Sequence, residues 1–432
     1  MAAGFIELGT DRQLPDIDAA PPPPRRRNMA AAIALTVLLA VGASAAPGGP
    51  GLRGPAIVRS AIADRSVVLA DRVYVMSAGT GQRRLSTFAL PTGHHLWTVP
   101  FAADGQPAQV LEAGQTVLVS TYEPHLGRGK VFAFDRARGW PLWQRDTWMA
   151  DVVDDGSALI YLRGIGGRPP FTVTEVSAVD GRTGRTRWTV TIPGSSRFER
   201  VSTGDGKRWG VVMPVRGAEA EVWDLRTGTV AARGPVVPAG ATLLDLVAVG
   251  GMLLSRYTVR GAAAHRIAAY TVDDLALQWV VRAPSSRDFY PVDCGALVCV
   301  GAEGAVTALD PRSGTVAWRA PYHEISGTGE RLFAHGRDGE LAVLASDSGR
   351  SVRILPGWEV LGPLGRDNRR QVVARSVPGT SRIWVGVLDV GEAVVHPLGL
   401  ASGVLSSSCR TGAGSVVCEL IRGGVGVWTI RL

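Results

Sequence analysis

Lysine is almost missing from this 432-residue chain: it occurs only at Lys130 and Lys207, and arginine carries the rest of the positive charge. That bias reads as GC-rich coding before it reads as nucleic-acid binding. No basic run is interleaved with aromatics, so nucleic acid is not an expected partner. Cysteine is scarce, at 4 residues, and the chain is long enough for full-size cores, which excludes a disulfide-stapled mini-protein. Charged residues make up only 19% against 46% hydrophobic, which excludes global disorder. Long apolar runs are absent apart from one near the N-terminus, so a multi-span transporter is excluded. The signatures H-E-x-x-H, G-x-S-x-G and G-x-x-x-x-G-K-[ST] are all missing, and with them the usual zinc-protease, hydrolase and phosphate-loop chemistries.

Glycine, by contrast, is abundant. Its 54 copies are one residue in eight, against an ordinary share of about 7%. Many glycines and few runs of helix formers point to many turns and many short strands.

Residues 1–28 do not look like a folded domain. Pro21 to Pro24 cannot donate backbone hydrogen bonds and favour an extended conformation, and Arg25, Arg26 and Arg27 follow. Phe5, Ile6, Glu7 and Leu8 form a short apolar-acidic segment within this tail. Met29 to Ala46 is an uncharged apolar stretch of 18 residues. That is near the minimum of about 17–20 needed to cross the hydrocarbon layer. Three arginines before it and no basic residue directly after it orient the tail towards the cytoplasm and send the rest outward. Residues 29–46 are therefore expected to be a retained signal anchor. The alternative is a signal peptide cleaved near Ala45, because Ala43-Ser44-Ala45 has the small-x-small form of a cleavage site. Residues 47–60 follow as a Gly/Pro linker.

From about residue 61 to 432 the sequence repeats. Ala308, Asp310, Gly314 and Trp318 define a frame A-x-D-x-x-x-G-x-x-x-W. The frame returns at Ala133, Asp135, Gly139 and Trp143, and at Ala178, Asp180, Gly184 and Trp188. Degenerate copies lead to Trp97, Ala232, Trp279, Arg353 and Val395, the last two through Gly349 and Gly391. An apolar strand precedes each Asp. The carboxylate opens a turn by accepting backbone N–H bonds, and Gly closes it with a positive φ. The Trp run is the next strand. Two further strand-like runs precede each hairpin, so a unit holds four strands in roughly 45 residues, the size of a propeller blade. Eight such units can be read, with a strand-like remainder at the C-terminus. Ala56-Ile57-Val58-Arg59 could pair with that remainder and close the ring. The expected fold is an all-β propeller of four-stranded blades, eight or alternatively seven, behind one transmembrane helix.

This frame resembles the tryptophan-docking repeat of PQQ-binding-like β-propellers, a family that includes quinoprotein dehydrogenases and the Gram-negative outer-membrane assembly lipoprotein. The resemblance implies that Trp97, Trp143, Trp188, Trp279 and Trp318 pack between adjacent blades. It implies looser or substituted contacts at Ala232, Arg353 and Val395. The dehydrogenases of the family have adjacent cysteines and a Glu/Asn/Asp calcium site in a longer chain. This sequence departs from that pattern, so no cofactor is expected.

Cys294 and Cys299 flank a turn between the first two strands of the sixth unit, and Cys409 and Cys418 flank the corresponding turn of the C-terminal unit. Two pairs at equivalent places argue for two hairpin disulfides, as suits an exported domain. Bound metal is the alternative, but Cys-x4-Cys lacks a second ligand pair nearby. His94 and His95 are neighbours on a strand and point to opposite faces, and the other histidines are scattered.

The expected function is a non-catalytic binding or assembly scaffold, held at the membrane through residues 29–46 and turned to a protein or cell-envelope ligand. The net charge of +8 suits an anionic envelope surface. A single-pass sensor and a PQQ-dependent oxidoreductase are the alternatives.

Overall fold

The structure, a computed structural model, describes residues 50–432 apart from the short segments 63, 79–80, 124–127, 154–155, 164–172, 203–207, 215–217, 263, 284–288, 303, 328 and 366–367. The expected tail and the span 29–46 lie outside the described residues. Among the described residues no helix is long and apolar enough to cross a membrane.

The strands pair antiparallel in sequence order, as expected where short Gly turns join neighbouring runs. Blade 1 holds Arg65–Leu69, Arg72–Met76, Gly81–Ala89 and His94–Ala103. Burial follows position in the blade. Second strands such as Thr116–Glu123 are buried almost throughout, while the outer strand His94–Ala103 exposes most of its residues. A run buried on both sides is what a sheet packed between two neighbours requires. The apolar clusters accordingly join residues of successive blades, for example Trp97 and Phe101 of blade 1 with Phe132 and Phe134 of blade 2.

The described strands build nine blades, which corrects the expectation of eight or seven. Seven sheets have four strands each. The eighth has seven, because Thr186–Ser202 runs unbroken from the outer edge of blade 3 to the inner edge of blade 4. The short late units do not merge. Blade 7 keeps four strands by shortening them, the innermost to Glu324–Ser326 and the others to five residues each. The C-terminal remainder is also a full blade. Its sheet runs Arg410–Gly412, Ser415–Glu419, Val425–Arg431 and, outermost, Gly51–Val58.

That last strand revises the boundary of the linker. Gly51–Val58 lies inside the stretch 47–60 and belongs to the ring, with Gly51 opposite Arg431 and Val58 opposite Val425. Its Gly and Pro residues sit where the register shifts between Arg53 and Ala56, and bulges tolerate both. The pairing covers an edge that would otherwise be open. Val58 is buried with Val73, Phe88 and Leu90 of blade 1, so the strand also seals the seam between the last blade and the first.

Starting the chain at residue 61 is therefore expected to lower the melting temperature by about 5 °C or more relative to a chain starting at residue 50. A dispensable linker would leave the two melting curves superimposed.

Candidate functional site

Each docking tryptophan lies on the turn glycine of the following blade. The indole N–H of Trp97 donates to the Arg136 carbonyl at 3.0 Å, and Trp143 donates to Gly181 at 2.9 Å. Trp188 reaches Leu225 at 3.1 Å, Trp279 reaches Pro311 at 2.8 Å and Trp318 reaches Ser346 at 2.8 Å. Every acceptor stands three residues before the turn glycine. A Cβ on Gly184 would come within 2.7 Å of the Trp143 ring, and one on Gly228 within 2.5 Å of Trp188. Glycine thus serves twice, giving the left-handed turn (φ +68° and +72°) and leaving room for the ring.

Where tryptophan is absent, the next turn changes with it. Ala232 stands at the docking position of blade 4, and the glycine position of blade 5 is Leu275, in the left-handed region at φ 56° and buried. Leu275 joins Val236 and Val237 in the seam that tryptophan would have filled. Arg353 stands at the docking position of blade 7, and blade 8 closes its turn with Ala393 at φ 55°. Ala393 is buried against Leu355. That last turn was misplaced in the sequence reading. Ala393, not Gly391, takes the left-handed conformation, so Val395 faces Leu388. In the tryptophan blades the docking residue faces the position two before the turn aspartate, as Trp143 faces Ala133.

The turn aspartates accept from the backbone. Asp135 receives the Arg138 N–H, Asp180 that of Thr183, and Asp310 those of Arg312 and Ser313, at 2.8–2.9 Å. Backbone hydrogen bonds from Thr183 and Ser313 hold the Asp180 and Asp310 carboxyls below their ordinary value of 3.8.

The seam between blades 1 and 2 also holds a polar lock. The Tyr74 hydroxyl donates to Glu112 at 2.6 Å, and Glu112 pairs with Arg136 at 3.1 Å. Arg136 pairs with Asp71 as well, and its carbonyl accepts from both Arg72 and Trp97. Burial, the hydrogen bond to Glu112 and its charge push the Tyr74 phenol well above its ordinary range. Burial alone would lower Arg136, but Glu112 and Asp71 outweigh it and hold the guanidinium charged. A phenol that stays protonated and a carboxylate held between Tyr74 and Arg136 fasten two blades together. Neither is free to take a proton from a substrate.

Both cysteine pairs are disulfides, Cys294–Cys299 and Cys409–Cys418, and all four residues are buried. They staple the two innermost strands of blades 6 and 9. In the first, Cys294 faces Leu297 and Cys299 faces Val292, so the bridge runs diagonally across the pair. Among the described residues no group of three or more His, Cys, Asp or Glu is placed to hold a metal.

A groove of about 600 Å³ opens between blades 5 and 6. Ile267, Val281, Ala283, Val300 and Leu309 supply apolar walls, and the exposed Arg282 and Arg319 also line it. The equivalent wedge between blades 1 and 2 is about 310 Å³. There Phe101 packs on Phe132 and Phe134 with ring centroids 5.0 and 5.9 Å apart. Ala283 stands four residues after Trp279, as Phe101 stands four after Trp97. Thr307 and Leu309 stand three and one before Asp310, as Phe132 and Phe134 do before Asp135. Three phenylalanines have become Ala, Thr and Leu, and the wedge has opened. Sequence reading missed this groove, although lining the repeats up on Asp and Trp exposes the substitution.

Two outcomes follow for the seams. Trp188→Ala and Gly228→Leu are each expected to destabilise the protein by about 1–3 kcal/mol. The double variant copies Ala232 with Leu275, so the two effects should fall short of additivity by about 1 kcal/mol, read from a denaturant cycle. The second outcome concerns acid. A carboxyl depressed on folding contributes stability that is complete above 3.8 and is lost as pH falls through its lower folded value. Replacing Asp180 and Asp310 together by Asn should flatten the fall of melting temperature below pH 3.8 and lower its plateau at neutral pH.

Comparison with known proteins adds three findings. Residues 172–330 and 263–379 match the family model for outer membrane protein assembly factor BamB, together just under half of the chain. No curated protein sequence matches the chain. Among solved structures, BamB from Moraxella catarrhalis aligns over 88% of this chain and 99% of its own at 13% identity and a TM-score of 0.44. A eukaryotic initiation factor aligns over 84% and 96% at 11% identity with a TM-score of 0.55. A europium-containing methanol dehydrogenase aligns over 68% and 84% at 14% identity and a TM-score of 0.36. At such identities the likeness to solved structures concerns the fold alone. Residues 172–379 carry BamB-like repeats, and the described strands form a β-propeller.

Proposed function

We propose that this chain is a non-catalytic binding and assembly scaffold, tethered by residues 29–46 with its tail in the cytoplasm and its propeller outside. Its ligand is a protein or a component of the cell envelope. The observation that carries the reading is the seam architecture. Trp-on-Gly docking, paired charges and two disulfides fix the ring, while an apolar wedge with arginines beside it stays open between blades 5 and 6. A stiff ring with a pre-formed groove loses little entropy when it binds. The match to a family described as an outer membrane assembly factor supports the same reading.

Two measurements test it. A C-terminal alkaline phosphatase fusion to the full chain is expected to be active and to sediment with membranes, and deleting residues 29–46 should release the protein from them. A photo-crosslinking residue at the exposed Val316 should give a discrete protein or envelope adduct in those membranes. An inactive fusion, or dye reduction on adding PQQ and calcium to the purified chain, would overturn the proposal.

A further inference from the structure

We infer that the groove between blades 5 and 6 takes an extended acidic, leucine-rich segment of a partner protein. This rests on the scaffold reading above and assigns that function a place and a chemistry. Charge is the first reason. Arg282 and Arg319 line the groove, and both are exposed. Among the described residues neither has a carboxylate partner, and positive charge at the mouth of the groove suits an anionic ligand.

Shape is the second reason. The groove is hollow because Ala283 and Thr307 occupy positions that Phe101 and Phe132 fill in the equivalent wedge. It is not a failed seam, since Trp279 still docks on the Pro311 carbonyl at 2.8 Å. Val316, 49% exposed, extends the apolar wall of the groove on the blade 6 side. The strands on either side of the groove, Leu277–Arg282 and Val316–Ala320, are the last in their sheets. Their outward N–H and C=O groups have no strand partner. An extended peptide answers all three features, with leucines for the wedge, carboxylates for the arginines and a backbone for the strand edge. A fatty acyl carboxylate would leave the edge unanswered.

The test titrates the full-length protein with a fluorescein-labelled peptide of alternating glutamate and leucine, followed by anisotropy. The expected result is saturable binding that weakens as salt rises. Ala283→Phe, which closes the wedge, and Arg319→Glu, on an exposed side chain that folding does not need, should each weaken it about ten-fold or more. Unchanged melting temperature for Arg319→Glu keeps the test valid if Ala283→Phe disturbs folding. Equal binding of a lysine–leucine peptide, unchanged affinity in both variants, or displacement of the peptide by oleate at lower concentration would each overturn the inference, the last in favour of a lipid. The Val316 adduct separates the two levels. If it forms undiminished in Ala283→Phe, the groove assignment falls and the scaffold reading stands.

Discussion

The ring depends on one contact, an indole laid across a left-handed glycine of the next blade with its N–H on a turn carbonyl. The contact has little tolerance. A Cβ at the glycine would enter the ring, and a smaller residue at the tryptophan would leave a void. The two positions belong to different blades, so each seam constrains a pair of distant residues together. Ala232 with Leu275 shows that the constraint is volume. When the indole is lost, a leucine from the opposite side takes the space, even at a φ of 56° that leucine seldom adopts. Arg353 with Ala393 is a milder form of the same exchange, in which the glycine gains one methyl.

Docking alone cannot close a ring, because a chain has two ends. The last blade lends its outer place to the N-terminal strand Gly51–Val58, so the final hydrogen-bonded ladder joins residues far apart in sequence. In that blade Ala56 meets the turn glycine Gly93, at the place tryptophan holds elsewhere. The closing seam is therefore narrow and rests on backbone pairing and on Val58 rather than on an indole. The same blade has one of the shortest innermost strands, Arg410–Gly412, and there the Cys409–Cys418 bridge ties the hairpin covalently. A closure made from two chain ends has the most conformational entropy to overcome, and a cross-link there removes part of it from the unfolded state.

Much of this was legible in the residues. The A-x-D-x-x-x-G-x-x-x-W frame carries strand, turn, glycine and docking ring in one string, because each depends on side chains within eleven positions. The cysteine pairs were legible for the same reason. The blade count was not. Strand number in a degenerate unit depends on whether a three-residue run such as Glu324–Ser326 finds a neighbour to pair with, and only the assembled ring decides that. The turn of blade 8 was misplaced because Gly391 is the obvious candidate for a positive φ, whereas a buried Ala393 takes it to fill the seam. The linker boundary failed likewise, since Gly54 and Pro55 read as a break until Thr429 and Val427 are placed opposite Arg53 and Ala56 on either side of them.

The groove between blades 5 and 6 shows how the two layers of each seam separate. Trp279 occupies the layer next to the turn and keeps the blades in register, while the residue four positions on controls only the second layer, farther along the chain. Phe101 fills that layer in the first seam and Tyr322 lies buried at the same place in the sixth, whereas Ala283 leaves it open in the fifth. Since docking already fixes the blade angle, that second position can vary in volume without disturbing the fold. A repeat built in this way holds its architecture with one residue per blade and leaves another free for recognition.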